Sequence, residues 1–208
     1  GTETADIYLL QEMDEKGVRE IANSLSLNYV YIPVVQKTSS KKDIGNAILS
    51  KGPIACFEKL LLPHAKPLSN SRRLVTIAEV TIHREKILVY SVQTETVVMS
   101  NKKRMEQVDA IIAHARMRLP GYKYVLIGGD FNTLFTRSSR LAVAKFRESG
   151  FEWSTETVST TARAFFGVIK PKHDYIFSKG LKFINASKME TSKSSDHYPV
   201  LATFSMKS

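Results

Sequence analysis

Hydrophobic and polar positions alternate along this chain in two distinct rhythms. Near-continuous apolar runs that end in polar residues, "ADIYLLQEMD" (5–14) and "YKYVLIGGDFNT" (122–133), predict buried strands, and "YVYIPVV" (29–35), β-branched and aromatic, predicts another strand. "NAILSKGPIACFEKLLLP" (46–63) predicts two short strands broken at Gly52-Pro53. "LVTIAEVTI" and "KILVYSVQTE" predict a hairpin across His83-Arg84-Glu85. Helical spacing marks three other segments. "EKGVREIANSL" spaces Val18, Ile21, Ala22 and Leu25 as a helix does. "NKKRMEQVDAIIAHARMRL" (101–119) aligns Met105, Val108, Ile112 and Ala115 and stops at Pro120-Gly121. "SRLAVAKFRESG" (139–150) is a short helix with Gly150 as its C-cap. "HDYIFS", "LKFINAS" and "PVLATFS" add three strands near the end, and "KTSSKKDIG" (37–45) and "PHAKPLSNSRR" (63–73) read as polar loops. Many strands, few helices in mixed order and no linker predict a single α/β domain over residues 1–208, with two packed sheets flanked by helices.

Composition narrows this picture little, but charge changes it. The 208 residues can bury a full core, and 43% hydrophobic with 24% charged residues is ordinary for a globular chain. No apolar run is long enough to cross a bilayer, and the polar opening "GTETAD" carries no secretory signal; the native start is expected to precede Gly1. Cys56, the single cysteine, excludes an intrachain disulfide and a thiolate metal site, and its neighbours in "GPIACFEKL" predict a small core residue. Thirty Lys and Arg against twenty Asp and Glu leave a net charge of +10. Such an excess favours nucleic acid, an anionic membrane surface or a phosphorylated substrate, although a solvated basic face explains part of it. The compartment stays open.

The candidate chemistry lies at strand ends. Gln11-Glu12, Asp130-Phe131-Asn132, His173-Asp174 and Asp196-His197 each put acids, amides or histidine at the end of an apolar strand. Matching strand ends converge on one rim, where several carboxylates repel one another unless a cation joins them. Oxygen ligands without cysteine favour a hard divalent ion, Mg2+ with Mn2+ as a substitute. An imidazole backed by a carboxylate can exchange a proton with water. A capped Asp-His turn and a glycine turn are the bland readings of these stretches.

"LLQE", "GNAILS", "SRRLVTIAEV", "VYSVQTET", "GGDFNT", "HDYIFS" and "SSDHYPV", in this order, closely resemble the endonuclease/exonuclease/phosphatase superfamily over residues 5–204. That group includes deoxyribonucleases, abasic-site endonucleases, sphingomyelinases and inositol-polyphosphate phosphatases. The resemblance implies a four-layer α/β sandwich and Mg2+-dependent cleavage of phosphate esters. It implies that Glu12 binds the metal with help from Asp196, and that Asp130 and Asn132 bind the phosphate, Asp130 also placing the nucleophile. Asp174 would orient His197 as the base, while Asn46 and Arg73 would shape the phosphate pocket. Two departures stand out. The family's first strand, with an asparagine near the metal, is absent, so an incomplete sheet edge is expected, open to pairing with a second copy. Gln93 stands where a histidine commonly contacts the scissile phosphate; its amide can donate a hydrogen bond but cannot carry a proton. The alternative readings are therefore a catalytically weakened phosphate- or nucleic-acid-binding module, or a lipid or sugar phosphatase.

Overall fold

A computed structural model describes residues 4–34, 44–66, 71–133, 136–162, 171–189 and 195–206. The predicted polar loop at 37–45 therefore falls almost wholly outside the described residues.

β1 (Ile7–Met13) leads into α1 (Glu15–Leu25), whose N-cap Asp14 accepts from Gly17 N–H at 2.7 Å. β2 (Asn28–Val34) and β3 (Ile44–Ser50) follow, and β3 pairs antiparallel with both β1 and β2 in the order β1-β3-β2. β4 (Ile54–Leu61), β5 (Leu74–Ile82), β6 (Glu85–Gln93), β7 (Tyr124–Asp130), β8 (Glu152–Trp153) and β9 (Asp174–Lys179) form a six-stranded sheet ordered β4-β5-β6-β7-β9-β8. β5 and β6 make the predicted hairpin, with His83 and Arg84 both at positive φ, the handedness a two-residue turn needs. α2 (Asn101–Arg118), closed by a 3-10 turn at Leu119–Gly121, connects the parallel strands β6 and β7. α3 (Thr136–Glu148) precedes β8, and β10 (Leu181–Lys188) pairs with β11 (Val200–Met206).

Three apolar clusters stack these elements into four layers. Val18 and Ala22 of α1 meet Ala47 and Leu49 of β3. The other face of that layer, with Ile48 and Val30, packs on Val80, Val89 and Leu126 of the six-stranded sheet. The far side of that sheet, through Val125, Ile127 and Phe177, meets Val108, Ile112 and Phe146 of α2 and α3. Alternate residues of β7 thus enter different clusters, which is why its sequence reads as one continuous apolar run. Met105, Val108, Ile112 and Ala115 of α2 are all buried, as their spacing predicts.

The second sheet layer is divided: among the described residues no strand joins β1 to β11, although Ile7 and Leu9 of the one and Phe204 and Met206 of the other cover the same cluster. Cys56 is exposed rather than in the core. The β4–β5 register shifts between Ala55 and Glu58, Cys56 has φ 48°, and this irregularity turns its side chain outward.

Candidate active site

The six-stranded sheet aligns three polar residues at one end. β6 runs parallel to β7 with Gln93 opposite Asp130, and β9 runs antiparallel to β7 with Asp174 opposite Asp130. All three lie on the same face as Val89 and Leu126, toward the β1-β3-β2 layer, so they sit at the mouth of the cleft between sheets. Gly129 makes this spacing attainable. Its φ of 137° is one that side chains rarely adopt, and a Cβ there would lie 2.1 Å from the Val92 carbonyl oxygen.

Glu12 reaches the rim from the other layer. The β1–β3 register is irregular between Leu10 and Met13, and Glu12 sits there with φ 56°. Its Oε1 accepts from Gln93 Nε2 at 2.7 Å and from Arg73 NH1 at 3.4 Å. Arg73 NH1 also donates to Gln93 Oε1 at 2.7 Å, and NH2 lies 3.6 Å from buried Glu95. Gln93 therefore spends both ends of its amide bridging Glu12 and Arg73.

Asp130 is held by the residue two positions on. Asn132, in the left-handed region at φ 48°, donates N–H to Oδ1 at 2.8 Å and Nδ2 to Oδ2 at 2.9 Å; Nδ2 also reaches the Thr94 carbonyl at 2.9 Å. Such backbone strain persists where surrounding bonds over-determine it. Burial, followed by the charge of Asp174, pushes the Asp130 carboxyl up to about 7.

His197 donates from Nδ1 to Asp174 Oδ2 at 2.9 Å. This bond, opposed by burial and assisted by the charges of Asp174, Asp130 and Asp196, raises its pKa to about 9. His173 stacks 5.7 Å from His197, and its own pKa is lowered by burial and by the His197 charge. Thr161 fixes both segments: its Oγ1 accepts from the N–H groups of His173 and Asp174 at 2.8 and 3.0 Å, while its carbonyl receives Tyr198 N–H at 2.7 Å. Thr161→Val is expected to strand two buried N–H groups and lower unfolding free energy by about 1–3 kcal/mol; urea titration checks this.

Of the residues proposed for the site, Glu12, Arg73, Gln93, Asp130, Asn132, Asp174 and His197 join this rim directly, and Asn46 and Asp196 do not. Asn46 is fully buried one step inside, donating Nδ2 to the Leu74 carbonyl at 2.9 Å beside Arg73, with its Oδ1 unpartnered. Asp196 is exposed on the His197 side and acts on both histidines through its charge. Glu95, Thr161 and Arg104 were not foreseen. For Arg104 a signal existed, because it lies on the line of Val108, Ile111 and Ala115, which a cation should avoid. Glu95 had only its place just past a strand end.

A family model described as "Endonuclease/Exonuclease/phosphatase family" matches residues 2–197. The chain belongs to the endonuclease/exonuclease/phosphatase family. Solved members share its fold. One is a family protein from Leptotrichia buccalis, 15% identical, with TM-score 0.75, covering 97% of this chain and 87% of that one. Another is a humanized TDP2 of D. rerio, 16% identical, TM-score 0.75, with 97% and 85% covered. A third is a 3′ phosphatase from Neisseria bound to product DNA hairpin, 17% identical, TM-score 0.68, with 98% and 90% covered. No curated protein matches the sequence. The family context agrees with a rim of acids and amides at the mouth of a two-sheet cleft, and the family generally depends on divalent metal. The donor set here suits such an ion in kind: Glu12 and Asp196 are hard oxygen donors, and Asp130, raised first by burial and then by the charge of Asp174, is a third carboxyl at the same rim. Among the described residues, however, no three acidic, histidine or cysteine side chains are close enough to enclose one.

Proposed function

We propose that the chain is a divalent-metal-dependent phosphoesterase that hydrolyses phosphodiesters, with Mg2+ the natural ion. The observation that carries this is the gathering of three hydrogen-bonded groups, Arg73–Gln93–Glu12, Asp130–Asn132 and Asp174–His197, from both sheet layers at one rim where Gln93, Asp130 and Asp174 lie level. Glu12 and Asp196 would hold the ion, which when bound supplies Lewis-acid polarisation of a phosphoryl oxygen. Asp174 fixes the proton on Nδ1 of His197, leaving Nε2 to exchange a proton with the attacking water. Asp130 and Asn132 orient that water and the phosphate. Arg73, already tied to Glu12 and Gln93, adds positive charge beside them, and Asn46 keeps the start of β5 in place behind Arg73. Nucleic acid is the favoured substrate class: the net charge is +10, and one structural relative was solved with product DNA.

Purified protein is expected to hydrolyse bis-p-nitrophenyl phosphate with Mg2+ or Mn2+ and to lose turnover in excess chelator. Hydrolysis that persists at an equal rate in chelator would refute the metal dependence, and no hydrolysis of this ester or of DNA with either ion would refute the enzyme reading. Gln93→His tests the weakened-module alternative, because a large gain in turnover would mark a diverged catalyst.

A further inference from the structure

The proposed chemistry uses Asp174 and His197 and leaves unused the imidazole that precedes Asp174 in the chain. His173 is only 9% exposed where β9 begins, and its ring stacks on that of His197, with centroids 5.7 Å apart and planes 28° from parallel. A buried polar side chain is ordinarily kept for the hydrogen bonds it makes. Here Nδ1 is buried with no hydrogen-bond partner, so no bond from that nitrogen accounts for the residue. What the ring offers His197 is its face.

The backbone holds that face still. His173 N–H donates to Thr161 Oγ1 at 2.8 Å, and its carbonyl accepts from Phe131 N–H at 2.9 Å. Thr161 precedes Ala162, which forms a β-bridge with His197, and Phe131 lies inside the turn that presents Asp130 and Asn132. His197 needs such a flank. Among the described residues its ring meets the Asp174 carboxylate at 2.9 Å and the His173 ring, and its side chain is about one-third exposed. One hydrogen bond fixes where Nδ1 sits but lets the ring plane tilt, and with it the direction in which Nε2 points. A rigid, nearly parallel ring removes that freedom on one face. The two rings are also compatible in charge: burial first, then the charge of His197, lowers the His173 pKa and keeps it neutral beside an imidazolium.

We propose that His173 is a positioning residue, whose ring keeps the His197 imidazole in the plane from which Nε2 faces the attacking water. The role rests on reading the rim as a hydrolytic centre and adds to it a residue that acts only through His197. The stacking ring and the carboxylate that fixes Nδ1 come from consecutive residues, whose N–H groups share one acceptor, Thr161 Oγ1, so the fold sets both restraints together.

The test compares His173→Phe, which keeps a flat ring, with His173→Leu, which fills similar space without one; His173→Met replaces the latter should it fail to fold. On bis-p-nitrophenyl phosphate with Mg2+, His173→Leu is expected to lower kcat about 10–100-fold with KM little changed, the cost of a misplaced reacting group, while His173→Phe stays within about 3-fold of wild type. A second measurement needs no turnover. In chelator, long-range 1H–15N spectra of the histidine rings, with His197 assigned by its loss in His197→Ala, should show wild-type His197 15N shifts in His173→Phe and shifts moved toward those of free histidine in His173→Leu. Wild-type kcat in a folded His173→Leu would overturn the role, as would equal losses in the Leu and Phe variants. A loss of kcat with unmoved His197 shifts would overturn it too, because the imidazole would not have been displaced. If the wild-type protein hydrolyses no ester, the hydrolytic reading fails, and the ring spectra alone decide whether His173 holds His197.

Discussion

Replacing His197 with alanine is expected to lower turnover of a phosphodiester by about 10²–10⁴-fold while leaving the protein folded. The side chain is about one-third exposed, and its Nδ1 bond to Asp174 at 2.9 Å belongs to the rim rather than to any apolar cluster. The pH profile identifies its role. With its pKa near 9, His197 is an imidazolium at neutral pH, and a proton acceptor must first be neutral. A base therefore predicts kcat/KM rising with pH toward a limb near 9, whereas a charged donor to phosphate predicts a fall above it. Asp174→Asn removes the largest contribution to that shift and should move the limb down toward the ordinary histidine value, with a lower plateau rate. Stability follows the opposite sign. A folded-state pKa raised above the unfolded one stabilises the protein fully below about 6.5 and loses that contribution as pH rises through 9, so His197→Ala should flatten stability against pH in this window. An unchanged rate in His197→Ala on every ester cleaved would end the proposed mechanism.

The rim was legible in sequence because strand ends are local. "GGDFNT", "HDYIFS" and "SSDHYPV" each place a polar residue at a strand boundary that apolar runs define, and pairing of β6, β7 and β9 brings Gln93, Asp130 and Asp174 level. The four-layer stacking was legible for the same reason, since doubly buried strands and one-sided helices imply what covers them. What escaped depends on distant partners. The irregularity that gives Glu12 φ 56°, the two N–H groups received by Thr161 and the burial of Arg104 against the Asn132 carbonyl all arise from segments far apart in the chain. The two-residue strand β8 is too short to carry a period. Cys56 misled because an apolar neighbourhood in sequence does not reveal a bulge. Gln93 was expected at the phosphate, and only the fold shows its amide occupied by Glu12 and Arg73.

Replacing Phe131 with alanine is expected to cost about 3–5 kcal/mol of unfolding free energy, the range for truncating a buried aromatic ring. Phe131 is 1% exposed, and its ring meets Phe146 at 5.7 Å and Tyr175 and Phe177 at 5.6 Å each, mostly edge-to-face or tilted. Behind it Phe146 and Phe177 stack at 3.9 Å, so the cavity has rigid walls that cannot collapse onto it. Urea denaturation should show a lower midpoint with an unchanged slope. The position also couples packing to chemistry. Phe131 lies between Asp130 and Asn132, and its backbone N–H donates to the His173 carbonyl at 2.9 Å, so its ring anchors the turn that presents both rim residues. Turnover should therefore fall even under conditions where the variant remains fully folded. Phe146→Ala, which opens a cavity behind the same ring without touching the turn, should lose comparable stability with a smaller loss of turnover. Equal losses of turnover in the two variants would show that the aromatic cluster serves stability alone.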